Sequence, residues 1–293
     1  MAYVILSRIT SIDQLFLKEF EQKKIYCNKD AKDEVAKLNA KALNLQTTKW
    51  DQPDEGCLRL SSLNTRSLQQ HRQDLETDQF VMKSDIILVQ ETWLDEDLKS
   101  NISDYHHYYV HGRSKGICTL TRVLPTHHIS NQTTYCSYIK ISFKTFDIIN
   151  IYRFGSNSNI RDFTTEVLLL LDCTRTQVVA GDLNIDLLKN PNNYFTQSMA
   201  DRGFRQLVTE PTHNQGGLID HVYFHKAEGA SCELFSNHTM FWSDHTCQSF
   251  MLTTTNNRYT IILTNISNII ILIYIEVRTL ISIDNCPPGP DCS

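Results

Sequence analysis

Short apolar runs that end in polar residues alternate with segments of helical spacing between residues 57 and 253. The apolar runs predict strands over residues 58–63, 85–90, 137–143, 147–152, 178–182, 218–224 and 246–252. Apolar positions three and four apart, with Asn or Gly at several ends, predict helices over residues 72–82, 159–171 and 192–202. This alternation predicts a mixed α/β domain of about 200 residues, with sheets in the middle and helices outside.

Polar residues stand at the ends of the predicted strands. Asp182 and Asn184 follow the apolar run 178–180 and its glycine, and side chains of the same kinds end the other strands: Asn64, Glu91, Tyr152, Asp220, Asp244 and His245. Carboxylates and amides with one histidine and no thiolate suit Mg²⁺ or Mn²⁺ rather than zinc. Each residue alone has a purely structural explanation, such as a solvated strand end or a core histidine. Together they predict a phosphoryl-transfer site.

The two ends of the chain differ from this central region. Residues 1–50 combine a strand-like run with a segment of helical spacing, and the polar residues 51–56 form a predicted linker. Residues 256–293 contain the apolar run 261–275, which is shorter than the roughly 20 residues that span a bilayer. We expect a poorly ordered apolar tail and no obligate membrane attachment, with a membrane span as the alternative.

Composition limits the classes of partner. The net charge of −5 gives no overall basic footprint, so nucleic-acid binding would need a local basic groove or a metal ion. The nine cysteines include no C-x-x-C pair, which predicts reduced thiols. No secretory signal pattern stands at the N-terminus, so we expect an intracellular or nuclear location. No G-x-x-x-x-G-K-[ST] loop is present, which predicts no ATP binding.

The strand-end residues also stand in recognisable motifs. These are Leu63-Asn64-Thr65-Arg66-Ser67-Leu68, Gln90-Glu91-Thr92-Trp93-Leu94, Ile151-Tyr152-Arg153, Gly181-Asp182-Leu183-Asn184, Pro211-Thr212-His213, Ile219-Asp220-His221 and Ser243-Asp244-His245. With them, residues 57 to about 253 resemble the endonuclease/exonuclease/phosphatase family, most closely the apurinic-type endonuclease domains of non-LTR retrotransposons and Helentrons. The resemblance implies two packed β-sheets flanked by helices, a four-layer α/β sandwich with the site at one end. Family members commonly carry Gly-Gly before residue 117, where this chain has Lys115-Gly116.

The resemblance also implies roles for individual residues. Glu91 would bind the metal ion, helped by Asn64 and Asp244. Asp182 would orient or deprotonate the attacking water, and Asn184 would position that water and the phosphate.

Further residues would act on the phosphate. Asp220 would hold the imidazole of His245, which would keep one ring nitrogen protonated toward the phosphate oxygens. Tyr152 would donate a hydrogen bond to the phosphate. The remaining predicted phosphate or substrate contacts are Ser243, Arg66 and Thr212.

The N-terminal segment carries a second resemblance. Residues 3–11 and 15–17 resemble the last segment of the DNA helicases of Helitron-type transposons. In such helicases the arginine that matches Arg8 would touch the γ-phosphate of ATP. Because the chain lacks a phosphate-binding loop, we interpret this segment as a vestigial remnant without ATP hydrolysis.

These observations lead to one hypothesis and two alternatives. The hypothesis is a monomeric, metal-dependent endonuclease of a mobile element that nicks DNA. The first alternative is a phosphodiesterase or phosphatase acting on lipid or inositol phosphates, since the same site serves both reactions. The second is a catalytically silent fragment that only binds nucleic acid or another partner.

Overall fold

A computed structural model of the chain describes residues 47–54, 56–94, 102–112, 115–155, 159–227 and 229–254. The helicase-like segment and the apolar tail lie outside these residues. Helix α1, Thr47–Asp51, opens the described part. Its Trp50 is buried and stacks on Phe80 and Phe235, with ring centroids 4.8 and 5.1 Å away. This packing extends the folded unit upstream of the linker expected at residues 51–56.

The first sheet contains a central parallel pair inside an otherwise antiparallel arrangement. Its strands, in spatial order, are β11 (Ser231–Thr239), β12 (Thr246–Thr253), β1 (Cys57–Asn64), β2 (Ile86–Gln90), β4 (Ile117–Thr121) and β3 (His106–Val110). Strands β1 and β2 are the parallel pair, with Asn64 opposite Gln90. The residue that follows β2, Glu91, therefore lies at the same end of the sheet as Asn64.

The second sheet repeats this arrangement. Its order is β5 (His127–Gln132), β6 (Cys136–Ser142), β7 (Phe146–Arg153), β8 (Thr176–Asp182), β10 (Asp220–His225) and β9 (Arg205–Gln206). Here β7 and β8 are the parallel pair, and β10 runs antiparallel to β8 with Asp220 opposite Asp182. This register brings two of the predicted site carboxylates to neighbouring strands.

Helices cover the outer face of each sheet. They are α2 (Leu68–Thr77), α3 (Ile160–Leu168) and α4 (Tyr194–Ala200), with a 3₁₀ turn over Val81–Lys83. One apolar cluster lies between the sheets, a second joins α2 to the first sheet, and a third joins α3 and α4 to the second. The predicted α/β fold, two packed β-sheets flanked by helices, is confirmed.

Helix bounds differ from the sequence prediction because polar side chains set where the helices begin and where α2 ends. The helix expected at residues 72–82 begins at Leu68, where Ser67 Oγ accepts from the Gln70 amide. It ends at Thr77, because Asp78 Oδ1 accepts from the Phe80 and Val81 amides and starts the 3₁₀ turn. The other two helices are also shorter than predicted. Asn159 and Asn193 cap them, and the predicted cap at Asn159 is confirmed.

Five strands of the described part were not predicted: β3, β4, β5, β9 and β11. Strand β4 is buried but has only five residues, and β9 has only two. Strand β5 is exposed at every position, and β3 and β11 carry His, Tyr and polar residues at sheet edges. An edge strand lacks the alternating burial that produces an apolar period, so its sequence does not predict it.

Two internal contacts fix the packing near the predicted site, one within the second sheet and one between the sheets. Gly181 has a φ of 142°, and a Cβ at this position would overlap the Ile151 carbonyl oxygen, so only glycine lets β8 pass this close to β7. Gln90 Nε2 donates to Asn150 Oδ1 at 2.7 Å, which joins the first sheet to the second in a fully buried position. Both contacts lie near the strand ends that carry the predicted site.

The structure also bears on the expected reduced thiols and on the alternative of a membrane span. The six cysteines in the described part of the chain are free, which agrees with the predicted reduced thiols. Within the described ranges, no helix has the length and apolar character needed to cross a membrane. The apolar run 261–275 lies outside those ranges.

Candidate active site

Asn64 connects the ends of three strands. Its Nδ2 donates to Glu91 Oε1 at 2.9 Å and to Asp182 Oδ2 at 2.8 Å, and Asn64 is fully buried. Tyr152 adds a hydrogen bond from its hydroxyl to the same Glu91 oxygen at 2.9 Å. The structure therefore brings together four of the predicted site residues, two from each sheet.

The loops at this end of the sandwich hold unusual backbone conformations. Arg66, Glu91, Trp93 and Asn184 have φ values of 45°, 51°, 53° and 50°. Residues other than glycine adopt this left-handed region at a cost, so packing must hold them there. These four residues leave strands β1, β2 and β8 at the site. The concentration of these conformations makes the loops candidates for a functional site, and of the four residue types only asparagine readily adopts them.

Asp182 is the buried carboxylate at the centre of the cluster. It accepts from Asn64 Nδ2 through Oδ2 and from the Asn184 amide through Oδ1 at 2.9 Å. Burial raises the pKa of Asp182, the nearby Asp220 carboxylate raises it further, and the pKa reaches about 7. A carboxylate with a pKa near neutrality can take a proton at physiological pH, which suits a general base.

Asp220 and His245 form a buried pair. His245 Nδ1 lies 2.9 Å from Asp220 Oδ2 and 3.1 Å from Oδ1, so Nδ1 carries the proton that the carboxylate accepts. Burial by itself lowers the pKa of His245, but the Asp220 carboxylate outweighs that effect and the pKa rises to about 9. The ring is therefore positively charged at neutral pH, with Nε2 as its remaining donor.

Thr212 holds this pair in position. The Thr212 side chain is fully buried, and its Oγ1 accepts from the Ile219 and Asp220 amides at 3.0 Å each. Thr212 was expected to contact substrate, and that contact stays a prediction. In this structure its hydroxyl has two backbone partners beneath Asp220, which hold the Asp220 segment in position.

Asp244 lies between the side chains of Arg66 and His213. Its Oδ2 accepts from Arg66 at 2.6 Å and lies 3.4 Å from His213 Nε2, while its Oδ1 is buried without a hydrogen-bond partner. Arg66 is half-exposed, so its guanidinium can also face an incoming phosphate. His213 was part of a motif but had no predicted role.

Ser243 faces inward in this structure. Its hydroxyl donates to the Asn64 carbonyl oxygen at 2.8 Å and accepts from the His245 amide at 3.2 Å. These bonds tie the Ser243-Asp244-His245 segment to the end of β1. The predicted hydrogen bond to a phosphate oxygen stays a prediction.

Arg153 is a residue that sequence reasoning missed. It is buried, its guanidinium donates to the Leu183 and Asn184 carbonyl oxygens, and its own carbonyl accepts from Asn184 Nδ2 at 2.7 Å. These bonds hold Asn184 in its left-handed conformation. The signal was present in the Ile151-Tyr152-Arg153 motif, where only Tyr152 had been assigned a function.

Two neighbouring side chains stay neutral. Burial raises the pKa of Tyr152 far above its usual range, and the Glu91 carboxylate raises it further, so its hydroxyl remains a donor. Burial lowers the pKa of His221 to about 4, and His221 Nε2 bonds to the Ile185 carbonyl oxygen at 2.8 Å. His221 is thus a structural histidine.

Carboxylate oxygens that accept no hydrogen bond are available to a divalent cation at this site. Tyr152 and Asn64 both bond to Glu91 Oε1, and no hydrogen bond reaches Glu91 Oε2 among the described residues. Asp244 Oδ1 also accepts no hydrogen bond, although His245 Nε2 lies 4.0 Å from it. Ligand atoms of His213, Asp244 and His245, and those of Asp182, Asp220 and His245, also lie within 4.8 Å of one another. The predicted ligand Glu91 belongs to neither of these two clusters.

Gly116, the one glycine that this chain keeps where family members commonly carry Gly-Gly, is tightly packed. A Cβ at Gly116 would lie 2.5 Å from Thr92 Oγ1 and 2.8 Å from the Gly112 carbonyl oxygen. Ser137 Oγ donates to the Lys115 carbonyl oxygen at 2.7 Å, so Lys115 is accommodated beside it.

Comparison with solved structures supports the fold. The chain is similar to an AP endonuclease from Archaeoglobus fulgidus, with 15% identity, a TM-score of 0.52, and 66% of this chain and 98% of that chain covered. It is similar to the endonuclease domain of TRAS1, a telomere-specific non-LTR retrotransposon, with 12% identity, a TM-score of 0.50 and coverage of 67% and 98%. It is also similar to the 3′ phosphatase NExo from Neisseria bound to a product DNA hairpin, with 16% identity, a TM-score of 0.50, and 66% of this chain and 98% of that chain covered.

Sequence comparison assigns the family. No curated protein matches the chain. The profile of the Endonuclease/Exonuclease/phosphatase family matches residues 60–245, which is more than half of the chain and includes every predicted site residue. The chain therefore belongs to the endonuclease/exonuclease/phosphatase family.

Proposed function

We propose that this chain is a metal-dependent endonuclease of a mobile genetic element that nicks DNA by hydrolysing a phosphodiester bond. The observation that carries the proposal is the position of Asp182. This buried carboxylate, with its pKa raised to about 7, lies in hydrogen-bond contact with Asn64 and next to the Asp220–His245 pair. A proton acceptor and a charged donor thus flank one place where a phosphate would lie.

The side chains would divide the hydrolysis between them. Asp182 would accept a proton from the attacking water, and Asn184 would orient that water. His245, charged and held through Nδ1 by Asp220, would donate from Nε2 to a phosphate oxygen as negative charge develops there. Arg66 would contact a neighbouring phosphate of the strand. Each of these groups is held by a hydrogen bond or ion pair before substrate arrives.

Glu91, Asn64 and Asp244 would hold Mg²⁺ or Mn²⁺. Oxygen donors of carboxylates and an amide are the ligands that these ions prefer. Such an ion supplies positive charge that stabilises the transition state and the leaving oxygen. Tyr152 and Asn64 would orient Glu91 for this task through their bonds to Oε1.

Three observations support DNA as the substrate. The neighbours with comparable folds are, by their descriptions, an AP endonuclease, a retrotransposon endonuclease and a phosphatase bound to a DNA hairpin. The N-terminal residues 3–11 resemble part of a transposon helicase. Arg66 supplies a half-exposed cation at the site, which a chain of net charge −5 needs locally. We propose a monomer that acts inside the cell or nucleus, where such DNA lies.

Supercoiled plasmid tests this proposal. We expect the full chain to convert the plasmid to nicked circles with Mg²⁺ or Mn²⁺, and EDTA to abolish the reaction. An inositol polyphosphate and a phosphoinositide vesicle serve as parallel substrates, with phosphate release as the measurement. Release from either of these without nicking would contradict the DNA assignment, and no activity on any substrate would favour a catalytically silent fragment.

A further inference from the structure

The hairpin loop that carries Ser243-Asp244-His245 also carries an exposed aromatic residue. Strands β11 and β12 pair up to Thr239 and Thr246, and residues 240–245 connect them. Phe241 is 88% exposed, the highest value among the large apolar side chains that the structure describes as exposed. A phenylalanine ring left in water at this position contributes nothing to the core.

The rest of the loop is firmly attached, so Phe241 is presented from a fixed base. Met240 is buried in the apolar cluster under α2, and Trp242 packs against the same cluster and stacks on His71 at 5.3 Å. The Ser243 amide donates to the Met240 carbonyl oxygen at 3.4 Å, which closes a turn with Phe241 and Trp242 at its centre. Such turn positions usually hold Gly, Asn, Asp or Pro. Two aromatic residues here are therefore not explained by the turn itself.

The loop also lies at the proposed site of hydrolysis. Ser243 Oγ donates to the Asn64 carbonyl oxygen at 2.8 Å, and Asp244 pairs with Arg66. Phe241 precedes Ser243 by two residues, which is at most about 7 Å along the backbone. The backbone at Phe241 therefore lies beside the segment that carries Asp244 and His245.

We propose that Phe241 stacks on an unpaired or displaced nucleobase next to the phosphate that is cut. The inference rests on the proposed function. An exposed aromatic face beside a cation and a phosphate site is the combination that binds single-stranded or locally opened nucleic acid. It makes Phe241 a binding residue for substrate with unstacked bases.

A four-way binding comparison tests this role. One probe is a short thymidine oligonucleotide, and the other has the same backbone with tetrahydrofuran abasic residues in place of the nucleosides. Dissociation constants of the full chain and of F241A are measured for both probes in EDTA, which prevents cleavage. We expect the wild type to bind the thymidine probe about tenfold more tightly than the abasic probe. F241A should lose most of this preference while keeping its affinity for the abasic probe.

Two further variants separate stacking from other effects. F241W should restore the preference, because tryptophan offers a larger stacking face. Leu169→Ala is the matched control, because Leu169 is an apolar side chain of similar exposure, 82%, outside the site loops. It should keep the wild-type preference. An equal preference in the wild type and F241A would overturn the inference, as would a loss of affinity for both probes alike.

The plasmid assay keeps the two proposals distinguishable. Nicking by the wild type together with an unchanged preference in F241A would overturn only the role of Phe241. A wild type that does not nick, yet prefers the thymidine probe through Phe241, would overturn only the endonuclease. Dimerisation that F241A abolishes, with no effect on oligonucleotide binding, would identify a second copy of the chain as the partner and overturn the inference.

Discussion

Asn64 and Asp182 belong to different sheets, and Asn64 Nδ2 donates to Asp182 Oδ2 at 2.8 Å. The same nitrogen also donates to Glu91 at 2.9 Å, so one amide connects the proposed base to the proposed metal ligand. Both amide hydrogens are used inside a fully buried position. The geometry of the site therefore depends on how the two sheets pack as well as on the local loops.

The Asp220–His245 pair predicts a pH-dependent defect. In the wild type the Asp220 carboxylate raises the pKa of His245 to about 9, so the ring is charged below that pH. In D220N this carboxylate is lost, so the pKa of His245 should fall back toward its ordinary value. We expect a small loss of nicking near pH 6 and a loss of roughly thirtyfold near pH 8, because the charged fraction then falls by that factor.

Single-turnover nicking between about pH 6 and pH 9 measures this difference. The ratio of the two rates should widen up to the wild-type pKa and then level off, since above it both charged fractions fall in parallel. A loss in D220N of the same size at every pH would show that Asp220 does not act through the charge of His245.

We expect the metal dependence of nicking to rest on Glu91. In E91Q the amide keeps the bond from Tyr152 or Asn64 but removes a charged oxygen ligand, so the Mg²⁺ concentration for half-maximal nicking should rise by about tenfold or more. E76Q is the control, because Glu76 lies on α2 and pairs with Arg72. It should behave as the wild type. An unchanged Mg²⁺ titration in E91Q would remove Glu91 from the metal site.

The close contact at Gly181 should affect the stability of the fold, separately from catalysis. G181A places a methyl group against the Ile151 carbonyl oxygen at a φ of 142°, so it should lower the free energy of unfolding by roughly 3 kcal/mol or more. Gly216 has a φ of 84° but open space around it, so G216A should cost only about 1 kcal/mol. Chemical denaturation of both variants measures the two costs, and equal costs would contradict the steric explanation.

Strands β1, β2, β6, β7, β8, β10 and β12 were predicted because their burial produces apolar runs. Strands β1, β2, β7 and β8 end at the site, whereas β10 and β12 begin there. The interior strand β4 is also buried, but its run of five residues, which includes two threonines, was not predicted. The edge strand β5 escaped prediction because none of its residues is buried. The start of α2 was missed because Ser67 caps it from a left-handed conformation, with a φ of 118°, that no sequence pattern specifies.

The site was predicted in its residue types but only partly in its geometry. The contacts of Asn64, Glu91, Asp182 and Tyr152, and the Asp220–His245 pair, agree with the expected grouping. The orientation of hydroxyls and the role of buried cations depend on contacts far apart in the chain. Thr212 thus turned out to bond to backbone amides, and Arg153 to hold Asn184.

Arg8 lies outside the described residues, and its proposed lack of function stays a prediction. Because no phosphate-binding loop occurs in the sequence, we expect Arg8→Ala to nick plasmid at the wild-type rate and the purified chain to show no ATPase activity. A coupled ATPase assay with both proteins provides the measurement. ATP hydrolysis that disappears in the variant would show that the N-terminal segment is active.

The role of Asp182 is the central claim, and single-turnover nicking by D182N tests it most directly. The amide retains the shape and bonding position of the carboxylate but cannot take a proton, so we expect a loss on the order of 10²–10⁴-fold above about pH 7, and a smaller loss below it, where the wild-type carboxylate is itself protonated. DNA affinity should stay close to that of the wild type. D201N is the matched control, because Asp201 is exposed at the end of α4, and it should nick normally. A D182N protein that nicks at a rate near that of the wild type would contradict the account.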